Sequence, residues 1–311
     1  MLRLVDLPVF SGIPRDGRGR PLVVPKAGGR PRALTRATTH IDAIEDKSAL
    51  AAWSRRMVMV GVSRDPALAD RSRDLDETSA DGKAALGRLA DRAMVVAGAH
   101  DRREKGTHLH ALSELVDQGV DLPASTSPSD LADMAAYRET VRAFRVRGIE
   151  QFVVVDELAV GGTLDRLLSY SGPGPDGRHV DGLFIGDLKT GGSVQYSALK
   201  MSAQLAVYSR GELYDHTQFH VDVTDERAMR SWRKADVTAT AAAKAYTPLP
   251  KVSQEWGIIL HLPAGSGECA AYWADLRLGW AAAQLAGEVR RMRGSKGALR
   301  RFEVDSTQMI A

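Results

Sequence analysis

Two short apolar runs, separated by a loop that must turn, constrain this chain more than any other feature. Phe152-Val153-Val154-Val155 and Leu183-Phe184-Ile185 are rich in β-branched and aromatic residues, and both read as strands. Between them lies Ser171-Gly172-Pro173-Gly174-Pro175-Asp176-Gly177, a stretch that lets the chain double back as a hairpin. Side chains two apart on a strand share a face, so Asp187 and Lys189 point the same way while Leu188 turns toward the core. The hairpin brings Asp165 within reach of Asp187.

Two carboxylates that close repel each other and raise at least one pKa unless a cation lies between them. Hard oxygen ligands favour Mg²⁺ or Mn²⁺ over zinc. Acid, acid and lysine in this order suit metal-dependent phosphodiester hydrolysis, with two carboxylates on the ion and the lysine where water attacks phosphorus. Asp-x-Lys alone is weak, because such a triplet arises by chance about once in a chain this long and usually marks a solvated strand end. Its company decides. Gln204 and Tyr208 follow, four apart and so on one face of a helix.

Composition narrows the class. The chain has 311 residues, 44% hydrophobic and 26% charged, and no apolar run approaches a membrane span. No basic-then-apolar secretory pattern opens it, and the lone Cys269 leaves no internal disulfide, so a reducing, cytoplasmic setting is expected. One cysteine also excludes a four-cysteine iron–sulphur cluster. The net charge is only +3, although arginines stud both ends: Arg15, Arg18, Arg20, Arg30 and Arg32 early, and Arg290, Arg291, Arg293, Lys296, Arg300 and Arg301 late. Each cluster suits a phosphate backbone or a solvated face.

Residues 1–34, rich in Gly, Pro and Arg, read as an extended N-terminal arm. Residues 35–311 read as a single domain whose N-terminal part, to about 148, is helical. Helices are expected at about 82–101, 106–118 and 127–147, the last opened by Ser127 or Ser129 and stopped by Gly148, with 63–80 a loop. A helix at 198–212, a strand at Phe219–Val223, a helical stretch from 225, a hairpin of Trp256–Leu262 with Cys269–Trp273, and a final helix at 275–293 complete the expectation.

Gly161-Gly162-Thr163-Leu164-Asp165, Ile185-Gly186-Asp187-Leu188-Lys189-Thr190-Gly191 and Gln204-Leu205-Ala206-Val207-Tyr208 occur in that order. This series resembles the PD-(D/E)XK nuclease superfamily, and within it the RecB-type exonuclease branch that includes phage CRISPR-associated-like exonucleases. That branch also carries an upstream Gly-Thr-x-x-His, matched by Gly106-Thr107-His108-Leu109-His110. Leu164 stands where the superfamily's name has proline, and the long gap from Asp165 to Asp187 is taken up by the Gly/Pro loop.

The resemblance implies an α/β restriction-endonuclease-like core, a mixed central β-sheet flanked by α-helices. It implies that His110, Asp165 and Asp187 ligate Mg²⁺ or Mn²⁺ and that Lys189 orients or helps deprotonate the attacking water. Gln204, Tyr208 and Thr190 would line the substrate. Glu157 would be the upstream acid, with Glu150 competing for that role. The implied activity is a DNA exonuclease of phage or bacterial recombination or repair, with DNA and a recombination or single-strand-binding protein as partners and no membrane. A structure-specific endonuclease on the same core, or an idle DNA-binding recombination accessory, are the alternatives. Without the resemblance, His110 is an ordinary helix histidine and Gln204 with Tyr208 a packing face. His108 and His110, two apart on a helix, point apart and make no metal pair.

Overall fold

The computed structural model describes residues 12–301, apart from the side chains at 100–103. Among the described residues the strands are β1 (Leu22–Val23), β2 (Arg32–Ala33), β3 (Thr35–Arg36), β4 (Arg145–Val155), β5 (Val160–Pro173), β6 (His179–Lys189), β7 (Glu212–Tyr214), β8 (Tyr246–Pro248), β9 (Trp256–His261) and β10 (Ala270–Asp275). The helices are α1 (Ala37–Ile41), α2 (Ser48–Arg64), α3 (Ala67–Ser72), α4 (Ala80–Val96), α5 (Ala99–Gln118), α6 (Pro128–Val141), α7 (Ala198–Tyr208), α8 (Glu226–Trp232), α9 (Ala239–Ala243) and α10 (Leu276–Arg293). None is long and apolar enough to cross a membrane.

A mixed eight-stranded sheet runs β10-β9-β6-β5-β4-β7-β8, with β3 added in parallel to the start of β5. The β5–β6 hairpin expected from the Gly/Pro loop is present, and β6 also pairs in parallel with β9. One face packs Val153, Leu164, Ile185 and Ile259 against α1, α7 and α10. The other packs Leu168, Phe184, Leu188 and Leu260 against Leu109 and Leu112 of α5 and Met134 and Tyr137 of α6. The chain is α/β, with helices on both faces of its sheet.

Several elements depart from expectation for physical reasons. The helix expected at 127–147 opens on Ser127, whose hydroxyl accepts from the Asp130 N–H, but ends at Val141. Cross-strand pairing wins beyond it: Arg145 and Val146 face Ser169 and Leu168, and Gly148 absorbs a register shift instead of stopping a helix. The strand expected at Phe219–Val223 is replaced by a 3-10 turn, His216–Phe219, closed by His220 in the left-handed region. The loop expected at 63–80 contains α3, anchored by the buried Leu68.

Residues 1–11 lie outside the described residues. The rest of the expected arm is not extended: β1 and β2 pair, and Leu22, Val23 and Val24 are buried. Tyr214 Oη accepts from the Val24 N–H at 3.1 Å, and Tyr246 Oη donates to the Val24 carbonyl at 2.7 Å. The apolar Leu22-Val23-Val24 run thus closes the β7–β8 end of the sheet.

His216 lies in that end, 4% exposed, edge-on to Trp232 at 4.8 Å between ring centroids. Neither ring nitrogen has a hydrogen-bond partner. Burial pushes its pKa down to about 4, against the opposing charge of Asp215. The unfolded chain therefore takes up a proton, between about pH 6.5 and 4, that the folded chain refuses. Stability is expected to fall as pH drops through that window. Thermal melts across it should show a flatter profile for His216→Phe, and an identical slope in both proteins would exclude His216 as the cause.

Candidate functional site

The ladder between β5 and β6 ends at Arg166↔Gly186, so the strands part where Asp165 and Asp187 come abreast. Freed from the ladder, the Leu188 N–H donates to Asp165 Oδ2 at 3.1 Å. On the opposite side, the pairs Ile149↔Arg166 and Gln151↔Leu164 bracket Glu150 against Asp165. Glu150 has φ 50°, in the left-handed region that a non-glycine residue seldom adopts. The alternation of faces breaks here. Leu164 joins the core beneath α7, whereas Arg166, two residues on, turns toward α5 and α6. Three adjacent strands therefore offer Glu150, Asp165 and Asp187 at one level.

Helix α5 completes the cluster. Gly106 passes Thr190 so closely that a Cβ would fall 2.8 Å from its Oγ1, which explains a glycine at the head of the Gly-Thr-x-x-His series. One turn later His110 Nδ1 stands 3.5 Å from Asp165 Oδ2. His108 turns away to Asp130 of α6, as two-residue spacing on a helix requires.

Behind Asp165, the Arg166 side chain is 1% exposed. Its Nε donates to Asp117 Oδ2 and Tyr137 Oη, each at 2.7 Å, and its Nη2 donates to Ser113 Oγ at 2.6 Å. Tyr137 Oη in turn donates to the Asp117 carboxylate. This network ties β5 to the helix that carries His110.

Lys189, two beyond Asp187, brings its ammonium to 2.5 Å from Asp187 Oδ2, an ion pair without hydrogen-bond angles. Gln204 Nε2 donates to Asp187 Oδ1 and to Tyr208 Oη, 3.3 Å each. The Tyr208 ring passes Gly162 so closely that a Cβ there would come within 2.8 Å of it. That contact accounts for the glycine before Thr163.

Electrostatics set this region apart. Burial, reinforced by the Asp165 charge, pushes Asp187 up to about 6, and burial followed by Asp165 and Glu114 pushes Glu150 up to about 7. Asp165 is also raised by burial, with Arg166 and Lys189 opposing, and Glu114 and Asp117 rise for the same first reason. Burial lowers the His110 pKa, and the Arg166 charge adds to it, favouring the neutral ring that can ligate a metal. For Lys189, burial works against the ammonium, but Asp187 and Asp165 outweigh it and the pKa rises.

Five carboxylates (Glu114, Asp117, Glu150, Asp165, Asp187) thus face two permanent cations, Arg166 and Lys189. A divalent ion would offset that excess, and the donors present, carboxylate oxygens and a neutral imidazole, suit Mg²⁺ or Mn²⁺. Among the described residues no three His, Cys, Asp or Glu side chains converge as a ready-made metal shell, and Lys189 occupies Asp187 Oδ2.

The structure therefore brings together His110, Asp165, Asp187, Lys189 and Gln204, with Thr190 at their edge. It does not bring Glu157. That residue sits on an exposed 3-10 turn, Asp156–Leu158, and lines a separate cleft with Thr35, His40 and Arg290. Strand pairing instead sets Glu150, the competing acid, against Asp165. Tyr208 is 3% exposed, which leaves it little surface to offer a substrate, and its hydroxyl accepts from Gln204 instead.

Ser113, Glu114 and Asp117 are unexpected members. Their signal was nonetheless present: with His110 they occupy i, i+3, i+4 and i+7 of one helix, a polar stripe at the spacing of a core face. Compared with models of protein families and with curated proteins, the chain matches none of them.

Proposed function

We propose that this chain is a Mg²⁺- or Mn²⁺-dependent DNA exonuclease of the PD-(D/E)XK type, acting in phage or bacterial recombination or repair. One observation carries the reading: Glu150, Asp165 and Asp187 stand abreast on adjacent strands, Asp165 beside His110 and Asp187 beside Lys189, with more carboxylates than cations around them. His110, Asp165 and Asp187 would hold the ion. When bound, it supplies polarisation of the scissile phosphate and a more acidic water.

The side chains do the rest. Lys189, kept charged by Asp187 and Asp165, stabilises the negative charge that develops on phosphate oxygens. Gln204 orients Asp187 through Oδ1, and the buried Tyr208 holds Gln204. Leu188 N–H fixes the Asp165 carboxylate. The exonuclease half of the reading rests on the resemblance of the sequence motifs to RecB-type enzymes, which also implies products that carry a 5′-phosphate.

Digestion of end-labelled linear DNA and covalently closed DNA with Mg²⁺, Mn²⁺ or EDTA tests it. Metal-dependent loss of linear DNA alone is the expected result. Cutting of closed circles would move the activity to an endonuclease on the same site. Linear DNA left intact with either metal would overturn the nuclease reading.

A further inference from the structure

Helices α2, α3 and α4 form a layer that packs mainly on itself. Gly61 of α2 passes the backbone of Ala93 so tightly that any Cβ would collide with the Ala93 carbonyl, so α2 and α4 are locked at contact distance. Two residues, Ala97 and Gly98, then lead from α4 into α5, the helix of His110 and Glu114.

On the surface of this layer, α3 and α4 enclose a cleft of about 390 Å³ lined by Arg71, Leu75, Ala85, Arg88, Leu89 and Arg92. All three arginines are exposed, and none has a hydrogen-bond or ion-pair partner among the described residues. Arg55 and Arg56 of α2 are likewise exposed and without a partner among the described residues, but they line no such cleft; several other surface arginines are engaged. Arg73 pairs with Asp70, Arg290 donates to the Thr39 carbonyl, and Arg291 pairs with Glu288.

Three unpaired guanidinium groups around one cleft repel each other unless an anion enters. Arg88 and Arg92, four apart on α4, stack one above the other, and Arg71 flanks them from α3. A row with a flank matches successive phosphates of a strand better than one small anion, and the planar guanidinium fits phosphate in a fork. Leu75, Ala85 and Leu89 give the arginine stems an apolar floor.

We propose that this cleft grips backbone phosphates of DNA that flanks the segment held at the Asp165–Asp187 site, a proposal that rests on DNA being the substrate. His110 lies about 17 Å along α5 from its first residue, and the path back through the junction to Arg92 adds at most about 17 Å. The cleft therefore contacts a duplex within about ten base-pair rises of the reacting phosphate. Contact is with phosphate alone, and no base is read.

The test uses the full chain carrying Arg71→Ala, Arg88→Ala and Arg92→Ala together. A second triple, Arg142→Ala, Arg178→Ala and Arg277→Ala, removes the same charge from surface arginines that already pair with Glu139, Asp176 and Glu255. Fluorescence anisotropy in EDTA reads binding without cleavage, on duplexes of about 30 and about eight base pairs across a salt series.

The cleft triple should weaken the long duplex about 30-fold or more and lower the salt slope by about two to three, with little change for the short one. The control triple should change both far less, and the melting temperatures of both should stay near wild type. Unchanged binding of the long duplex by the cleft triple would overturn the proposal and leave the cleft to an acidic protein segment. An equal loss in the control would also overturn it, reducing the effect to overall charge. Failure of the nuclease reading shows elsewhere, as wild-type protein that binds DNA but cleaves none with metal present.

Discussion

Asp187→Asn and Lys189→Ala are each expected to lower metal-dependent DNA cleavage by about 100-fold or more. The two substitutions act differently on the fold. Asp187 is 2% exposed and shares its space with Asp165, so its charge destabilises the metal-free protein. Asparagine keeps the shape and the Gln204 contact while removing one of two like charges. Asp187→Asn should therefore melt no lower than wild type in EDTA. Lys189→Ala removes the cation that offsets Asp187, and its melting temperature should drop modestly. Added Mg²⁺ or Mn²⁺ should raise the wild-type melting temperature, because an ion that binds only the folded site stabilises it. That rise should vanish in Asp187→Asn. Cleavage at the wild-type rate by either purified variant would remove Asp187 and Lys189 from the mechanism. A metal-induced rise of wild-type size in Asp187→Asn would remove Asp187 from the metal site.

The parts of the site legible in the sequence are those set by local rules. Asp187 and Lys189 share a strand face because their spacing is two, and Asp165 reaches them because the Gly/Pro loop forces a hairpin. Glu150 against Glu157 is a different kind of question. The answer depends on which residue of β4 stands opposite Asp165, and that register is set by pairs such as Phe152↔Thr163 far along the ladder. The left-handed turn at Glu150 has no sequence signature, since glutamate seldom adopts it. The same applies to β4 as a whole. Arg145–Gly148 carries little strand pattern and becomes strand only because β5 supplies partners. Arg166 was hidden by its neighbour, because an arginine beside a site aspartate reads as solvated until α5 and α6 are seen to cover it.

Arg166→Met is expected to destabilise the protein by roughly 3–5 kcal/mol, the usual cost of removing one partner from a buried ion pair. The guanidinium alone opposes Asp117 in the interior, and burial already raises the pKa of that carboxyl. Without Arg166, Asp117 must be buried charged with only the Tyr137 hydroxyl on it, or take up a proton. Lysine does not substitute well, since one ammonium cannot reproduce the fork that serves Asp117, Tyr137 and Ser113 together. If the loss comes from an orphaned charge, a second substitution should undo it. Arg166→Met combined with Asp117→Leu should recover most of the stability in urea unfolding, because replacing both partners by apolar groups removes the unpaired acid. Additive losses would mean that the two side chains do not act as a pair. The restored double variant then isolates positioning from stability. Folded but lacking the tie between β5 and α5, it should need more Mg²⁺ or Mn²⁺ for half-maximal cleavage, because His110 is no longer held against Asp165. A metal requirement identical to wild type would confine the network to stability alone.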